Sequence, residues 1–430
     1  MINEIRKSVT RRDFVKGAAA LSATSLLVNP SAVFAAGPET IKIGLVGCGG
    51  RGQGALNNCI NAAKHLNVNT EVVAIGDYFK SRALDAAQKH NVPEERCFDG
   101  ADNYRKVIDS DADVILLVTP PNFRPLHFET AIQAGKHVFM EKPVAVDAPG
   151  ARRIMAAGEL AAEKNLAVVA GTQRRHQASY RQTAWAVQNG GIGRIMSGKV
   201  WWCMGQLWFN PRQEGESDAN YMVRNWVSFN EMSGDHIVEQ HMHNIDIANW
   251  FIGRPPQAAV GFGGRARRQT GNQFDFFSVD FDYGDDVHIH SMCRQINGCY
   301  NRVSEYFVGS EGATWGTGPG QDGYAKSLQI PDFEEHGGPL VQEHIHLLEG
   351  IVNGEPLNES RNVAESTLAA IMGRISAYTG QLVRWRELTD EAVGSPWYGH
   401  ALTPTAEDFE KGTVTAPPDD VIPIPGREQR

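Results

Sequence analysis

The sequence predicts an α/β protein: a doubly wound parallel sheet first, then an α+β domain on a large, open, mostly antiparallel sheet. Three observations carry that expectation. Between residues 41 and 143, short apolar runs alternate with stretches of helical period, the pattern of parallel strands joined by crossover helices. A glycine-rich turn, Gly47-Cys48-Gly49-Gly50-Arg51-Gly52, sits directly between the first apolar run and the first helical stretch. From residue 196 the helical stretches drop out, and amphipathic runs rich in Val, Phe and Trp follow one another.

Residues 41–47 (IKIGLVG) read as the first strand and 50–66 as the first helix. Residues 70–77 form the second strand, 80–90 a helix and 112–120 (ADVILLVTP) a buried strand. A helix over 124–136 leads into KHVFMEKP at 136–143. There Val138, Phe139 and Met140 have strand character, Pro143 forbids a regular continuation, and Lys142, preceding a proline, is pushed out of the helical region. A buried strand therefore ends by presenting Glu141 and Lys142 at its carboxyl edge, where open parallel sheets bind ligands. Partial burial lowers a lysine's pKa, which suits Lys142 to proton transfer.

The turn satisfies G-x-G-x-x-G between a strand and a helix, the dinucleotide-binding arrangement. Gly47 permits the tight turn, Gly49 lets the backbone approach a pyrophosphate, and Gly52 allows close helix-sheet packing; Gly50 and Arg51 complete the loop. The helix N-terminus receives the phosphate charge. Asp77, ending the second strand, stands where a carboxylate binds the ribose hydroxyls and repels a 2′-phosphate, favouring NAD over NADP. Lys80 and Arg82 nearby weaken that preference. Thr119, Pro120 and Asn122 end the next long strand and are expected to cover one side of the cofactor. His127 reads equally as a cofactor neighbour and as an ordinary helix histidine.

With 430 residues there is room for two or three domains. The net charge of -9 gives no basic field for nucleic acid. No apolar run reaches the ~18 residues of a membrane-spanning helix, so no membrane anchor is expected. The N-terminus carries a twin-arginine pattern, Thr10-Arg11-Arg12-Asp13-Phe14-Val15-Lys16, then an alanine-rich stretch and a cleavage site after Ala35. The expected organisation is a signal peptide over 1–36, an NAD-binding domain over 37–165, a substrate and oligomerisation domain over 166–387, and an extension over 388–430. Export by the twin-arginine route to the periplasm follows. The six cysteines are scattered, and free thiols are expected rather than disulfides.

Taken together, Gly47-x-Gly49-x-x-Gly52, Asp77, VTPPN at 118–122 and AGKHVFMEKP at 134–143 resemble the Gfo/Idh/MocA oxidoreductase family, whose members act on sugars, cyclitols and related polyols. The resemblance runs from residue 41 to about 385. It implies that Lys142 lies beside the nicotinamide and touches the reacting hydroxyl, and that the peptide bond before Pro143 is cis. It also implies that the open sheet carries the substrate site on one face and makes oligomer contacts, so a homo-oligomer, dimer or tetramer, is expected.

In the second half, a helix over 148–165 and a strand over 166–170 precede Gly171 to His176, which face the same cleft. Arg175 and His176 are assigned to the site there, and Arg174 to a solvated turn. Asn297-Gly298 signals a hairpin. Residues 365–380 read as a packing helix with a glycine stop.

The second chemical hotspot is residues 234–246 (GDHIVEQHMHNID), whose apolar positions carry helical spacing. Glu239, His243 and Asp246 fall at i, i+4 and i+7 on one face. The family pattern is Asp, His, Asp, so Glu239 replaces the first acid, and His241 stands where a small residue is usual. An imidazole takes a hydroxyl proton at neutral pH as hydride leaves the same carbon, which makes His243 the catalytic candidate, with Glu239 or Asp246 to orient it. His241 and Asp246 are assigned to the substrate. His236, Glu239 and His243 suit Zn²⁺ by chemistry, but no H-E-x-x-H or cysteine pair sharpens this and no metal is expected. Tyr221, Arg224 and Trp226 in a polar loop suit sugar binding by stacking and hydrogen bonds, and suit a structural loop clasp equally.

Outside the cytoplasm free NAD is scarce, so a tightly held NAD that accepts a hydride and later returns it fits an exported enzyme. The reading is an NAD-dependent oxidoreductase acting on a sugar, glycoside or polyol hydroxyl with internally recycled cofactor. The same site suits a redox-neutral glycosidase working by oxidation, elimination, hydration and reduction. A non-catalytic NAD-binding sensor is the alternative of a different class; it needs neither Lys142 nor His243.

Overall fold

Six parallel strands form the first sheet, in the order β3-β2-β1-β4-β5-β6. In this computed structural model, residues 40–321, 323–324, 328–418, 421 and 424–426 are described; the twin-arginine stretch lies outside them. The chain runs β1 (Thr40–Val46), α1 (Gly50–His65), β2 (Asn69–Gly76), α2 (Lys80–His90), β3 (Cys97–Phe98), α3 (Asn103–Ile108), β4 (Val114–Leu117), α4 (Arg124–Gln133), β5 (His137–Met140), α5 (Ala148–Glu163) and β6 (Val168–Ala170). The central strands are apolar apart from Thr40, Lys42 and His137 near their amino ends, because helices cover both faces; β4 and most of β1 and β5 are buried. The domain boundary expected at 165/166 falls one strand early: Val138, Phe139 and Met140 pair in parallel with Val168, Val169 and Ala170, so β6 completes this sheet.

The second half runs α6 (Ala178–Gln188), β7 (Ile195–Met204), α7 (Asp218–Arg224), α8 (Met242–Ile252), β8 (Ala258–Gly264), β9 (Phe276–Asp282), β10 (His288–Gln295), β11 (Arg302–Gly309), β12 (Ala313–Trp315), β13 (Gly318–Pro319), α9 (Pro339–Asn353), α10 (Ser360–Thr379) and β14 (Val383–Arg384). Its eight-stranded sheet has the order β13-β12-β11-β7-β10-β9-β8-β14. All pairs are antiparallel except β7 with β10. The hairpin expected at Asn297-Gly298 does not form, because β7 inserts between β10 and β11. Gly198 permits the insertion: a Cβ there would lie 2.8 Å from both Ile289 Cδ1 and Phe307 Cδ1.

One face of the eight-stranded sheet packs on α8 and α10; the other is open. The packing helix α10 ends, as the sequence suggests, at Gly380 in the left-handed region (φ 73). Helix α9 returns to the first domain, where Ile345, Leu347, Leu348 and Ile351 join α1 and α2 in covering one face of the parallel sheet. The described part of the extension also lies on that domain, through Arg152 to the Leu388 and Tyr398 carbonyls (2.7 and 2.8 Å) and Arg153 to Glu407 (2.8 Å). All six cysteines are free. No helix among the described residues is long and apolar enough to cross a membrane.

Candidate active site

The glycine turn opens onto a cleft of about 450 Å³, within the range of small-molecule sites. Gly47, Cys48, Gly49, Gly50, Arg51 and Gly52 line it together with Asp77, Arg82, Thr119 and Pro120. The turn is built for a diphosphate. Gly47 has φ +97, and a Cβ on it would lie 2.6 Å from the Val118 carbonyl carbon. A Cβ on Gly52 would lie 1.8 Å from the Gly47 carbonyl oxygen, so the helix can approach only as glycine. Above Gly49 and Gly50 there is open space, no side chain caps α1, and no acid sits in its first turn. Free N–H groups and the positive end of the helix dipole therefore face the cleft, and the residues present fit the dinucleotide. Asp77 holds the turn in place, accepting from Cys48 N (2.7 Å) through Oδ2 and from Phe79 N (2.9 Å) through Oδ1.

His127 lines the same cleft, stacked on Tyr104 at 3.9 Å and sharing a hydrogen bond with Thr119 Oγ1 (3.3 Å). Burial, and then the charge of Arg124, hold it neutral. The fully buried Arg124 donates to the Thr119 and Pro143 carbonyls, bracing the ends of β4 and β5 against each other. Burial pulls its pKa down to about 10.

At the carboxyl end of β5, Glu141 accepts from Arg51 Nε and from Lys142 N (3.1 Å). The Lys142–Pro143 peptide bond is cis. Lys142 Nζ donates to the Glu239 carbonyl (2.5 Å) and pairs with Glu239 Oε1 (3.3 Å). His243 lies within the electrostatic reach of Lys142, its ring near-parallel to that of Trp202 (centroids 5.6 Å, 19°). Burial first, then the charges of Lys142 and Arg174, hold the imidazole well below its ordinary pKa, so it is neutral at neutral pH. Trp202 and Glu305 reach this place from the inner face of β7 and β11.

The structure reassigns several residues that the sequence put into the site. Arg174, read as solvated, pairs with the buried Glu305 and lies 5.5 Å from the ring centroids of both Tyr180 and Trp202. Arg175 instead forms a bidentate pair with Asp246 (2.8–3.1 Å), whose Oδ1 also accepts from Ser366 Oγ (2.7 Å); neither orients His243. His176 is buried on the His346 ring (Nδ1 to Nδ1, 2.7 Å) and beside Glu359 (3.3 Å), away from the Lys142 group. His241 is a core histidine: fully buried, bonded to Ser291 Oγ (2.7 Å), its pKa pushed down to about 3, chiefly by burial.

The single helix expected through residues 236–246 is broken. A short turn, His236–Glu239, ends at Gln240 (φ -115), and α8 starts at Met242, so Glu239 and His243 do not share one helix face. Asn122 spends its amide on the Glu231 and Pro404 carbonyls (2.7 and 3.0 Å), so it does not cover the cofactor. Tyr221 is buried among Phe209 and Phe229. Arg224 and Trp226 line the dinucleotide cleft, joined by Trp208, which the sequence did not single out. Among the described residues no three His, Cys, Asp or Glu side chains converge as a metal site; His236 is tied to Asp235 (2.8 Å).

Residues 41–172 match the family model described as an oxidoreductase family, NAD-binding Rossmann fold, and residues 180–314 match the GFO/IDH/MocA C-terminal domain. The chain belongs to the Gfo/Idh/MocA oxidoreductase family. Its first domain is that family's NAD-binding domain. Inositol 2-dehydrogenase from Burkholderia ambifaria is 32% identical over 214 residues, 50% of this chain and 55% of that protein. Inositol 2-dehydrogenase from Paracoccus denitrificans is 35% identical over 141 residues, 33% of this chain and 39% of that protein. The chain thus spans about half or less of the length of these curated relatives. Among solved structures, a levoglucosan dehydrogenase in complex with NADH and levoglucosan shares the fold (TM-score 0.63, 16% identity, 80% of this chain and 99% of that one). So does scyllo-inositol dehydrogenase from Lactobacillus casei with NAD(H) and scyllo-inositol (TM-score 0.61, 20% identity, 80% and 99%).

Proposed function

We propose that this member of the Gfo/Idh/MocA family is an NAD-dependent oxidoreductase acting on a sugar, glycoside or polyol hydroxyl, with the cofactor retained between half-reactions. One observation carries the reading. A lysine paired to Glu239 and a neutral imidazole meet at the carboxyl end of β5, one residue from the carboxylate that grips the dinucleotide loop.

Bound NAD supplies the hydride acceptor. His243 takes the hydroxyl proton as the hydride leaves the same carbon, which its neutral state permits. Lys142 donates to the substrate oxygen and meets the charge developing there, while Glu239 fixes the position of the ammonium. Arg174 and Trp202 supply donors and a flat apolar face for a hydroxyl-bearing ring. The substrates named for the inositol and levoglucosan dehydrogenases support a polyol or sugar here. The Asp77 carboxylate in the cleft favours NAD over NADP. The open outer face of the eight-stranded sheet, with Phe262 70% exposed, supports a homo-oligomer. The twin-arginine stretch supports export to the periplasm.

The test uses protein purified without added cofactor. It is denatured to quantify released NAD(H) and NADP(H), and assayed in native form against sugars, polyols and glycosides. Near-stoichiometric NAD with product formed and no net NADH supports the retained cofactor, and cleavage of a glycoside under those conditions selects the redox-neutral glycosidase. Empty protein that reduces added NAD with a free sugar overturns retention. In a Lys142→Ala variant that still binds NAD, undiminished turnover overturns the catalytic assignment.

A further inference from the structure

The family's NAD-binding domain covers residues 41–172, yet the cleft has a second wall from outside it. Trp208, Arg224 and Trp226 face Gly49, Asp77 and Arg82 across the same space. We infer that these three residues bind the dinucleotide, not the sugar, and that the segment over residues 402–416 straps their wall to the first domain so that the cofactor is held through turnover.

The wall is preorganised. Arg224 is clamped by Glu216 (2.7 and 2.5 Å) and by the Pro211 carbonyl (2.9 Å). The fully buried Asn225 closes the loop, accepting from Asn210 N (2.8 Å) and donating to Asn210 O (3.0 Å). Because Glu216 balances its charge, Arg224 offers donors to a phosphate or ribose without adding a net positive charge. The two indoles, edge to face at 6.1 Å, offer flat apolar surface to an aromatic base.

The strap is visible bond by bond. Leu402 N donates to Asp147 Oδ2 (2.8 Å), and Pro404 O accepts from Asn122. Glu410 accepts from Tyr104 Oη (2.7 Å) and from Arg105 (3.1 Å). Ala416 N then donates to Asp218 Oδ2 (2.8 Å) at the start of α7, the helix that ends in Arg224. One stretch of chain thus ties the far wall to the domain carrying the glycine turn, which fixes the spacing of the two walls that the dinucleotide lies between.

This inference rests on the retained-cofactor reading and is tested apart from it. Full-length protein is loaded with NADH, and release is followed by fluorescence on dilution into an NADH-consuming enzyme. The same is done for Trp226→Ala, for Trp208→Ala, and for the strap variant Asp218→Asn with Glu410→Gln. NADH-free melting curves of all forms control for folding. Wild type is expected to release NADH more slowly than it turns over. Each wall variant and the strap variant are expected to release it at least about tenfold faster, with melting nearly unchanged. Fast wild-type release overturns retention. Variant-to-wild-type ratios near one overturn the wall and the strap. Should the strap variant melt early, Trp226→Ala decides through energy transfer: loss of tryptophan-excited NADH emission supports the wall, and full transfer overturns it.

Discussion

Asp246→Asn separates a structural brace from a catalytic partner. The sequence places Asp246 one turn beyond His243, whereas its carboxylate takes both Nε (2.9 Å) and an outer nitrogen (2.8 Å) of Arg175. The two side chains are 13% and 2% exposed, so solvent screens the pair little. Removing one partner of a buried pair costs roughly 3–5 kcal/mol, because the other charge is left without compensation. The Arg175 guanidinium keeps the ring of Trp250 at 5.2 Å, and a cation–π contact of that kind returns about 1 kcal/mol. A net loss of about 2–4 kcal/mol, at roughly 2–4 °C per kcal/mol for a large domain, lowers Tm by about 5–15 °C. The assay pairs a thermal melt with the pH profile of kcat/KM, measured well below both transitions. The expected result is an early melt with an unmoved pH profile. An unchanged Tm with kcat/KM down about a hundredfold, or a shifted limb, would refute the brace and return Asp246 to the side of His243.

Gly49→Ala leaves the fold intact, because Gly49 has φ -63 and nothing lies within 4 Å of its added methyl; NAD affinity falls about tenfold or more by titration while the NAD-free melt is unchanged. Arg174→Met removes the guanidinium at the Trp202 face and leaves the buried Glu305 unpaired, so Tm falls as well; below that transition kcat/KM for the sugar falls about tenfold to a hundredfold, the scale of a hydrogen bond to a charged group, and Arg174→Lys recovers part of both losses. Acid weakens the fold steeply. Burial lowers the folded pKa of His127, His241, His243 and His344 below the unfolded value of ~6.5, so the unfolded chain binds the extra protons; the stability is full above that value and is lost as pH falls through it. Between pH 6.5 and 5.5 each costs about 1 kcal/mol, and Glu343, whose pKa burial raises, returns about as much as one of them. The urea midpoint should therefore fall over that interval, the more so because His137 and His346, both lowered to about 4, act in the same direction, and a flat midpoint would sink the assignment.

The first domain was legible because its signals are local. Strand and helix periods alternate, and a turn that tolerates only glycine falls at one place in the chain. The positions of Lys142 at the end of β5 and of His243 within its electrostatic reach were legible for the same reason, each lying inside a short motif. The errors lie where one residue changes a direction. Gln173–Arg175 is a 3₁₀ turn, in which successive side chains diverge by about 120°, so choosing Arg175 over Arg174 exchanges the partner of Asp246 for the partner of Glu305 beside Trp202. His241 and His243 flank the break between two helices, and only the packing of Ser291 against His241 shows which one is core. The placement of β7 between β10 and β11 has no local signal at all, since it pairs strands about ninety residues apart.

Arg51 shows how distant segments complete a local motif. In the sequence it is one residue of the glycine turn and a cofactor contact. In the structure its guanidinium lies between Glu141, at the end of β5, and Glu343 (3.0 Å), on α9. Burial first, and then the charge of Glu141, raise the Glu343 pKa well above the ordinary carboxylate range. Arg51 is therefore engaged on both sides by side chains from distant parts of the chain. The uncapped N–H groups of α1 stand beside it, facing the same cleft. Besides lining the cleft, Arg51 acts as a tie. It ties the phosphate turn to the residue before Lys142, and both to a helix almost three hundred residues further along the chain. The spacing between the glycine turn and Lys142 is thus set by contacts that neither motif contains on its own.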